Sequence, residues 1–254
     1  MPLNAFKQND FQLPELPGWK RARRRIAKRV LAWRYRRFTP ESQAQRIVKV
    51  VGISLQVSRG VFDPSMHFTS GLLASYLQHA SKIVPGSTVL DLGTGSGIAA
   101  IAAARAGATS VVALDINPDA VECARLNASQ NDVGSLVDAR ESDLFSAVAG
   151  ELFDLVVCNP PYFKGEPATM AERAFLGGKE LEWIKRFATE LDDHLTPQGF
   201  ALLSIGDAAD IPAIVSLLNQ CGWLCTEVEH RDILVETIYI IKLTRNEEVA
   251  AGAG

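Results

Sequence analysis

The stretch at residues 89–97, Val-Leu-Asp-Leu-Gly-Thr-Gly-Ser-Gly, constrains the fold more than any other part of the sequence. The apolar run at 88–92 is typical of a buried strand, and the three glycines after it predict a tight turn. An alanine-rich segment at 98–106 then predicts a helix. Strand, glycine turn and helix form half of a βαβ unit, in which a nucleotide-like ligand contacts bare backbone.

Apolar runs and helical patterns alternate along the rest of the chain. We expect further helices at residues 71–82, 118–130, 181–195 and 211–221. We expect further strands at 47–57 (interrupted by Gly52), 110–115, 136–139, 153–158, 200–205, 224–229 and 237–243. The last two strands have no helix between them and should pair as a hairpin. This order predicts an α/β fold with a mostly parallel sheet and helices on both faces.

A chain of 254 residues, 47% hydrophobic and 22% charged, accommodates one sizeable α/β domain with an appendage. We predict a basic N-terminal arm at residues 1–45, the α/β domain at 46–245 and a disordered tail at 246–254. The sequence contains no apolar run long enough to span a bilayer, and residues 1–10 lack the apolar core of a signal peptide. We therefore expect a cytoplasmic protein without a transmembrane segment.

The N-terminal arm carries an unusual concentration of positive charge. Ten of the 26 basic residues lie at 20–37, where no acid occurs, which leaves 16 basic against 29 acidic residues elsewhere. Trp19, Ile26, Val30 and Trp33 share one face of a predicted helix at 19–37. Such a basic helix (Lys20 to Arg37) either binds RNA, a ribosomal surface or anionic lipid, or packs its apolar side on its own domain with its charges solvated.

The four cysteines do not form a metal-site pattern. Cys221 and Cys225 are separated by three residues, and no second Cys or His pair accompanies them at zinc-site spacing. We expect Cys123, Cys158, Cys221 and Cys225 to be buried, reduced thiols, and we expect no metal.

The glycine turn differs from the dinucleotide-binding fingerprint, because its spacing is Gly-x-Gly-x-Gly and Asp91 lies two positions before the first glycine. A carboxylate there disfavours a pyrophosphate and favours a cationic ligand. S-adenosylmethionine is such a cationic ligand, because it carries a sulfonium and an ammonium group. Asp115 lies 22 residues after Gly93, where an acid bridges ribose hydroxyls, and Asp143 follows the next strand, where an acid can bind an adenine amino group.

Residues 89–97, together with Val-Ala-Leu-Asp-Ile-Asn-Pro at 112–118, resemble the core of class I S-adenosylmethionine-dependent methyltransferases. The likeness covers residues 60–243. It implies a Rossmann-like, seven-stranded sheet with an antiparallel terminal strand, and S-adenosyl-L-methionine as cofactor. The cofactor-binding residues expected from the residues and the resemblance together are His67, Thr69, Asp91, Gly93, Thr94, Gly95, Gly97, Asp115, Ile116, Asp143, Leu144 and Asn159.

The tetrad Asn159-Pro160-Pro161-Tyr162 follows the strand at 153–158 and is the candidate catalytic set. An amide or aromatic amine is a poor nucleophile because its lone pair is delocalised. The Asn159 side-chain carbonyl and the backbone carbonyl of Pro160 can accept its two N–H hydrogens, which aims the lone pair at the methyl group. The prolines stiffen the turn, and Tyr162 can pack against a planar substrate group.

This tetrad resembles that of amino- and amide-directed N-methyltransferases. These include the HemK/PrmC family, which methylates the glutamine of release factors, and enzymes acting on adenine N6 or guanine N2 in RNA and DNA. Residues 174–181, Ala-Phe-Leu-Gly-Gly-Lys-Glu-Leu, resemble the Gly-Gly segment that helps shape the substrate pocket in the HemK/PrmC family. Residues 235–244 resemble the last strands of its eukaryotic and archaeal branch.

The segment His67-Phe68-Thr69 departs from that family and resembles instead the cofactor-side segment of ribosomal-protein methyltransferases of the PrmA kind. His67 is accordingly a candidate base, a cofactor contact or an ordinary loop residue. We expect an N-methyltransferase acting on a protein glutamine of the translation apparatus, with a release factor or ribosomal protein as partner. The alternatives are a nucleic-acid amino-group methyltransferase held on RNA by the basic helix, a small-molecule N-methyltransferase and a non-catalytic cofactor-binding module.

Overall fold

The computed structural model describes residues 45–79, 85–233 and 236–246. The predicted basic arm and disordered tail lie outside these ranges except for their border positions 45 and 246, as does the expected helix end at 80–82, and these stay predictions. Within the described ranges, no helix combines the length and the apolar character needed to cross a bilayer.

Nine strands and five α-helices make up the described part of the chain. The strands are β1 Arg46–Val50, β2 Ile53–Val57, β3 Thr88–Leu92, β4 Ser110–Asp115, β5 Val137–Glu141, β6 Phe153–Cys158, β7 Leu195–Gly206, β8 Trp223–Asp232 and β9 Thr237–Arg245. The α-helices are α1 Phe68–His79, α2 Ile98–Arg105, α3 Pro118–Gln130, α4 Glu182–Glu190 and α5 Ile211–Gln220. Short 3-10 turns lie at Ser146–Val148, Glu172–Ala174 and Leu191–His194.

The central sheet has seven strands in the order β5-β4-β3-β6-β7-β9-β8, and β1 and β2 form a separate antiparallel hairpin. Strands β3 to β7 run parallel, whereas β9 is antiparallel to both β7 and β8. The predicted parallel sheet and terminal hairpin are therefore confirmed. The chain order reverses between β3 and β6, and ligands bind at such a switch point beyond the carboxyl ends of the strands.

Two apolar layers cover the sheet, one on each face. Alternate residues of β3 point to opposite sides, so that Val89 packs in the layer built by α1, α2 and α3, and Leu90 packs in the layer built by α4 and α5. Strands buried on both faces explain why the sequence shows continuous apolar runs instead of polar alternation.

The structure moves four predicted boundaries by three residues or more. Helix α1 begins at Phe68 instead of residue 71, and α4 ends at Glu190 instead of continuing to 195. Strand β7 begins at Leu195, five residues before the predicted start, because Phe153 pairs with Leu195 and Leu155 with Phe200. The Pro-Gln-Gly sequence at 197–199 therefore forms an irregularity within β7. Strand β8 continues to Asp232 instead of ending at 229.

Candidate active site

A cavity of about 360 Å³ lies beyond the carboxyl ends of β3, β4 and β6. The glycine turn and the tetrad meet there because the strands that carry them are neighbours, with Leu92 paired to Cys158. The predicted site residues on its wall are Gly93, Thr94, Gly95, Asp115, Ile116, Asp143, Leu144, Asn159 and Pro161. The structure thus brings most of the expected cofactor-binding residues to one place.

Asp115 is fixed at the end of β4 by backbone hydrogen bonds. Its Oδ2 atom accepts the Gly95 N–H at 2.9 Å, and its Oδ1 atom accepts the Asn117 N–H at 2.9 Å. Burial raises the pKa of this carboxyl group, although the hydrogen bonds oppose that shift. Each carboxylate oxygen has a further acceptor site, and the side chain lines the cavity, so Asp115 can accept hydroxyl donors from a ligand.

Asp91 lies beneath the glycine turn and is not among the residues that line the cavity, so its predicted contact with a cofactor stays a prediction. It is 2% exposed and accepts hydrogen bonds from Thr94 Oγ1 at 2.7 Å and from the Ala100 N–H at 3.0 Å. Helix α2 begins after Gly97, which has no side chain to cap it, and Asp91 supplies the missing acceptor from β3. Burial raises the pKa of Asp91 to about 6.

The three glycines of the turn have different roles. Gly93 and Gly95 line the cavity with φ angles of 73° and 55°, a backbone region that favours glycine. Gly97, at φ 84°, is a packing residue, because a Cβ atom there would lie 3.0 Å from the Ala124 Cα atom of α3. It is not among the residues that line the cavity, so its predicted contact with a cofactor stays a prediction.

Asp143 lines the cavity but already has a protein partner. Its two carboxylate oxygens lie 3.2 and 3.3 Å from Nη1 of Arg186, which projects from α4. The sequence analysis did not predict this ion pair. Leu144 follows in a left-handed conformation at φ 51° and is buried, which shapes the loop that presents Asp143. One carboxylate group has enough acceptor sites for both a guanidinium and an amino group.

Asn159 has the most informative side chain of the tetrad. Its Nδ2 group donates a hydrogen bond to Ser70 Oγ at 3.0 Å, and Ser70 is itself buried near the start of α1. The Asn159 Oδ1 atom is buried and has no hydrogen-bond partner among the described residues. A buried acceptor without a partner costs free energy unless a ligand supplies the donor.

A second, small cavity of about 10 Å³ adjoins the first on the far side of Asn159. It is lined by Phe62, His67, Thr69, Asn159, Pro160, Tyr162, Phe163, Ala174 and Phe175, and we call it the acceptor cleft. His67 and Thr69 line this cleft and not the large cavity, and their predicted contacts with a cofactor stay predictions. The cleft holds about one water molecule, so a larger group enters only when a wall moves.

Residues 163–178, which we call the cover segment, fold over both cavities. Isolated β-bridges pair Phe163 with Leu176 and Gly165 with Gly178, so the two ends of the segment are hydrogen-bonded to each other. At its end, Gly177 lies so close to the tetrad that a Cβ atom would approach the Pro161 carbonyl oxygen to 2.2 Å. The segment also places on the wall of the large cavity three residues that the sequence analysis did not predict, Glu166, Met170 and Arg173.

Comparison with known proteins decides the family. Residues 53–199, more than half of the chain, match the family described as the Methyltransferase small domain. The chain belongs to this methyltransferase family. It is an S-adenosylmethionine-dependent methyltransferase, with the Rossmann-like fold and the cofactor that the glycine turn predicted.

Three relatives of this small-domain methyltransferase are informative. A provisionally named protein N5-glutamine methyltransferase of Methanocaldococcus jannaschii is 37% identical over 161 residues, which cover 60% of this chain and 76% of the relative. A release factor glutamine methyltransferase of Cereibacter sphaeroides is 35% identical over 199 residues, 72% of this chain and 69% of the relative. A ribosomal protein L11 methyltransferase of an Exiguobacterium species is 45% identical over 103 residues, which cover only 39% of this chain and 33% of the relative.

Solved structures of similar fold include the Mtq2–Trm112 complex of E. cuniculi, described as responsible for methylation of the termination factor eRF1. It is 26% identical, with a TM-score of 0.55 and coverage of 73% of this chain and 99% of the other. The T. thermophilus 16S rRNA N2 G1207 methyltransferase, in complex with AdoMet and guanosine, has a TM-score of 0.55 at 22% identity. The match covers 79% of this chain and 50% of the other. The latter likeness shows the shared fold alone.

The residues of the large cavity fit S-adenosylmethionine. Asp115 offers acceptors for ribose hydroxyls, and Asp143 offers one for an adenine amino group. Gly93 leaves open space where a Cβ atom would be, with no atom within 4 Å. The large cavity therefore has acidic side chains at Asp115 and Asp143 and a bare backbone turn at Gly93, with Asn159 also on its wall.

Replacing Asp115 with alanine is expected to weaken S-adenosylmethionine binding by about 1–3 kcal/mol, because a charge-assisted hydrogen bond is lost. Isothermal titration calorimetry with S-adenosylhomocysteine measures this change without turnover. Asp119→Ala, an exposed acid in the first turn of α3, is the control and should retain wild-type affinity. Unchanged affinity in Asp115→Ala would contradict the ribose assignment.

Proposed function

We propose that this methyltransferase transfers a methyl group to the side-chain amide nitrogen of a glutamine in a protein of the translation apparatus, with a release factor as the favoured substrate. The observation that carries the proposal is the buried Asn159 Oδ1 atom, which has no partner among the described residues and lies at the boundary of the two cavities. Such an oxygen suits an N–H donor arriving with the substrate.

Ser70 fixes the direction in which Asn159 acts. Its hydroxyl oxygen accepts from the Asn159 Nδ2 group at 3.0 Å, so the carbonyl oxygen is the part of the amide left for the ligand. A primary amide has two N–H hydrogens, and the Pro160 carbonyl beside the cleft is the candidate acceptor for the second. Two fixed acceptors stabilise positive charge that grows on nitrogen during transfer.

The other residues orient the reacting groups and exclude water. S-adenosylmethionine supplies an electrophilic methyl group on a sulfonium. Pro160 and Pro161 are buried and restrict the backbone of the turn, so that the acceptors keep their positions. Tyr162, which is 8% exposed, and Phe163 form an edge-to-face pair with ring centroids 4.8 Å apart beside the cleft. Their apolar faces suit a planar amide and keep solvent from it.

Two relatives support a protein substrate, and this chain covers most of the length of each. Both are named glutamine methyltransferases, whereas the L11 methyltransferase matches over about a third of its length. A glutamine amide is also smaller than a nucleobase and needs less widening of the acceptor cleft. We place the reaction in the cytoplasm, because release factors act there during translation.

Methyl transfer from labelled S-adenosylmethionine to purified, unmodified release factor tests the proposal. We expect label in protein, and mass spectrometry should locate one added methyl group on a glutamine side chain. Replacing that glutamine with alanine in the release factor is the control and should abolish labelling. Label in RNA, sensitive to nuclease and lost on deletion of residues 18–37, would favour the nucleic-acid alternative and contradict the proposal.

A further inference from the structure

Among the described residues, two positively charged side chains line the large cavity, Arg173 of the cover segment and Arg186 of α4. Arg186 is already engaged, because it pairs with Asp143 at 3.2 Å and with Glu190 at 3.5 Å. Arg173 is exposed, and its guanidinium forms no ion pair or hydrogen bond with any part of the chain that the structure describes. A cation on a cavity wall without a protein partner is available to a negatively charged ligand group.

S-adenosylmethionine carries one such group, the carboxylate of its amino-acid part. The N-terminal end of a helix after a glycine turn commonly holds an anion, but here the first N–H groups of the turn are engaged. The N–H groups of Gly93 and Thr94 donate to the Leu114 carbonyl oxygen at 2.8 and 2.9 Å. The Gly95 N–H donates to the Asp115 carboxylate at 2.9 Å. A carboxylate that leaves water therefore needs a partner other than these amides.

The two arginines lie toward different parts of the cofactor in the proposed orientation. Asp115 and Asp143 are the candidate partners of the ribose and the adenine, and Arg186 is paired with Asp143 at the adenine end. The transferred methyl group must lie near Asn159, and this orientation rests on the proposed function. A short chain joins the carboxylate to the sulfur that bears the methyl group, so the carboxylate lies on the side of the cavity that borders the acceptor cleft.

Contacts of the cover segment place Arg173 on that side. Phe175 lies against Phe62 with ring centroids 5.5 Å apart, and a Cβ atom at Gly95 would lie 3.8 Å from the Phe62 Cβ atom. This part of the cover segment is therefore connected to the glycine turn through one aromatic ring. Ala174 lines both cavities. Arg173, which directly precedes Ala174, thus lines the large cavity close to its boundary with the acceptor cleft.

We propose that Arg173 binds the carboxylate of S-adenosylmethionine, so that the cover segment recognises the amino-acid end of the cofactor. A guanidinium presents parallel N–H donors that match the two oxygens of a carboxylate. A nucleoside without the carboxylate lacks this contact, so the cavity selects the complete cofactor over its fragments. Because Arg173 is exposed, its replacement should change the stability of the fold little.

Two ligands that differ only in the carboxylate test the proposal. Isothermal titration calorimetry of the full-length protein, without an acceptor, compares S-adenosylmethionine with decarboxylated S-adenosylmethionine. Arg173→Ala should bind S-adenosylmethionine about 10-fold more weakly than wild type, because a charge-assisted contact is lost. Its affinity for the decarboxylated ligand should not fall. Arg173→Lys should retain part of the preference for the carboxylate, because the positive charge remains but the paired donors do not.

Lys164→Ala is the matched control on the same segment. Lys164 is an exposed cation that pairs with Asp210 at 3.3 Å and lines neither cavity, so this variant should bind both ligands with wild-type affinity. Asp115→Ala should weaken both ligands equally, because both contain the ribose. Equal losses for the two ligands in Arg173→Ala, or no loss for S-adenosylmethionine, would overturn the inference. These titrations contain no acceptor, so a failure of the proposed function appears separately, as wild-type enzyme that methylates no glutamine.

Discussion

Asn159→Ala is expected to lower kcat by about 10²–10³-fold, which corresponds to about 3–4 kcal/mol of lost transition-state stabilisation. The Asn159 Oδ1 atom has no partner among the described residues, so the acceptor nitrogen is expected to supply its hydrogen bond. Charge on the acceptor nitrogen is largest in the transition state, and the loss should therefore fall mainly on kcat. Single-turnover methyl transfer at saturating cofactor measures this step directly.

The controls for this prediction are a distant asparagine and the residue that orients Asn159. Asn219→Ala, on the exposed face of α5, should retain wild-type kcat. Ser70→Ala removes the hydroxyl that accepts from Nδ2, and it should give a smaller loss than Asn159→Ala because the carbonyl oxygen remains. A kcat within a factor of three of wild type in a folded Asn159→Ala protein would contradict the catalytic assignment.

Gly177→Ala is expected to lower kcat by about 100-fold, although the substitution adds only one methyl group. The new Cβ atom would lie 2.2 Å from the Pro161 carbonyl oxygen, so either the cover segment or the tetrad must shift. Both contacting parts are backbone, which cannot rotate away as a side chain can. A displacement of about 1 Å at a catalytic group costs about 10²-fold in rate.

Gly134→Ala provides the matched control for this steric effect. A Cβ atom there would lie 3.2 Å from the Ser129 Cα atom, which is a tight backbone contact. Gly134 lies in the connection between α3 and β5 and lines neither cavity. This variant should lower thermal stability without changing kcat. If Gly177→Ala also retains wild-type kcat while its melting temperature falls, the cover segment does not set the position of the tetrad.

The features that the sequence predicted well depend on neighbouring residues. Strands β3, β4 and β6 begin and end at the predicted residues because apolar runs bounded by glycine, proline or polar residues define them locally. The glycine turn and the tetrad could be placed on one edge because parallel strands present their carboxyl ends together. The position of Asp115 on this edge, at the end of β4, could be predicted for the same reason.

The features that the sequence did not predict depend on contacts between distant residues. Ser70 and Asn159 are 89 positions apart, and Asp143 and Arg186 are 43 positions apart, so no local spacing indicates either contact. The spacing gave the position of Asp91 but not the direction of its side chain, which accepts hydrogen bonds from Thr94 and Ala100. His67 and Thr69 line the small cavity and not the large one, and this division of the crevice at Asn159 arises only in the folded chain.

The pairing of Leu92 with Cys158 has a consequence for how an enzyme of this kind can acquire a different substrate specificity. The glycine turn and the tetrad leave the sheet from adjacent, hydrogen-bonded positions. Their separation is therefore set by the strand ladder, provided that the cover segment keeps glycine at position 177, where a Cβ atom would meet the Pro161 carbonyl oxygen. Insertions elsewhere in the cover segment, which lines both cavities, can alter which molecule is admitted while the separation of the two turns stays constant.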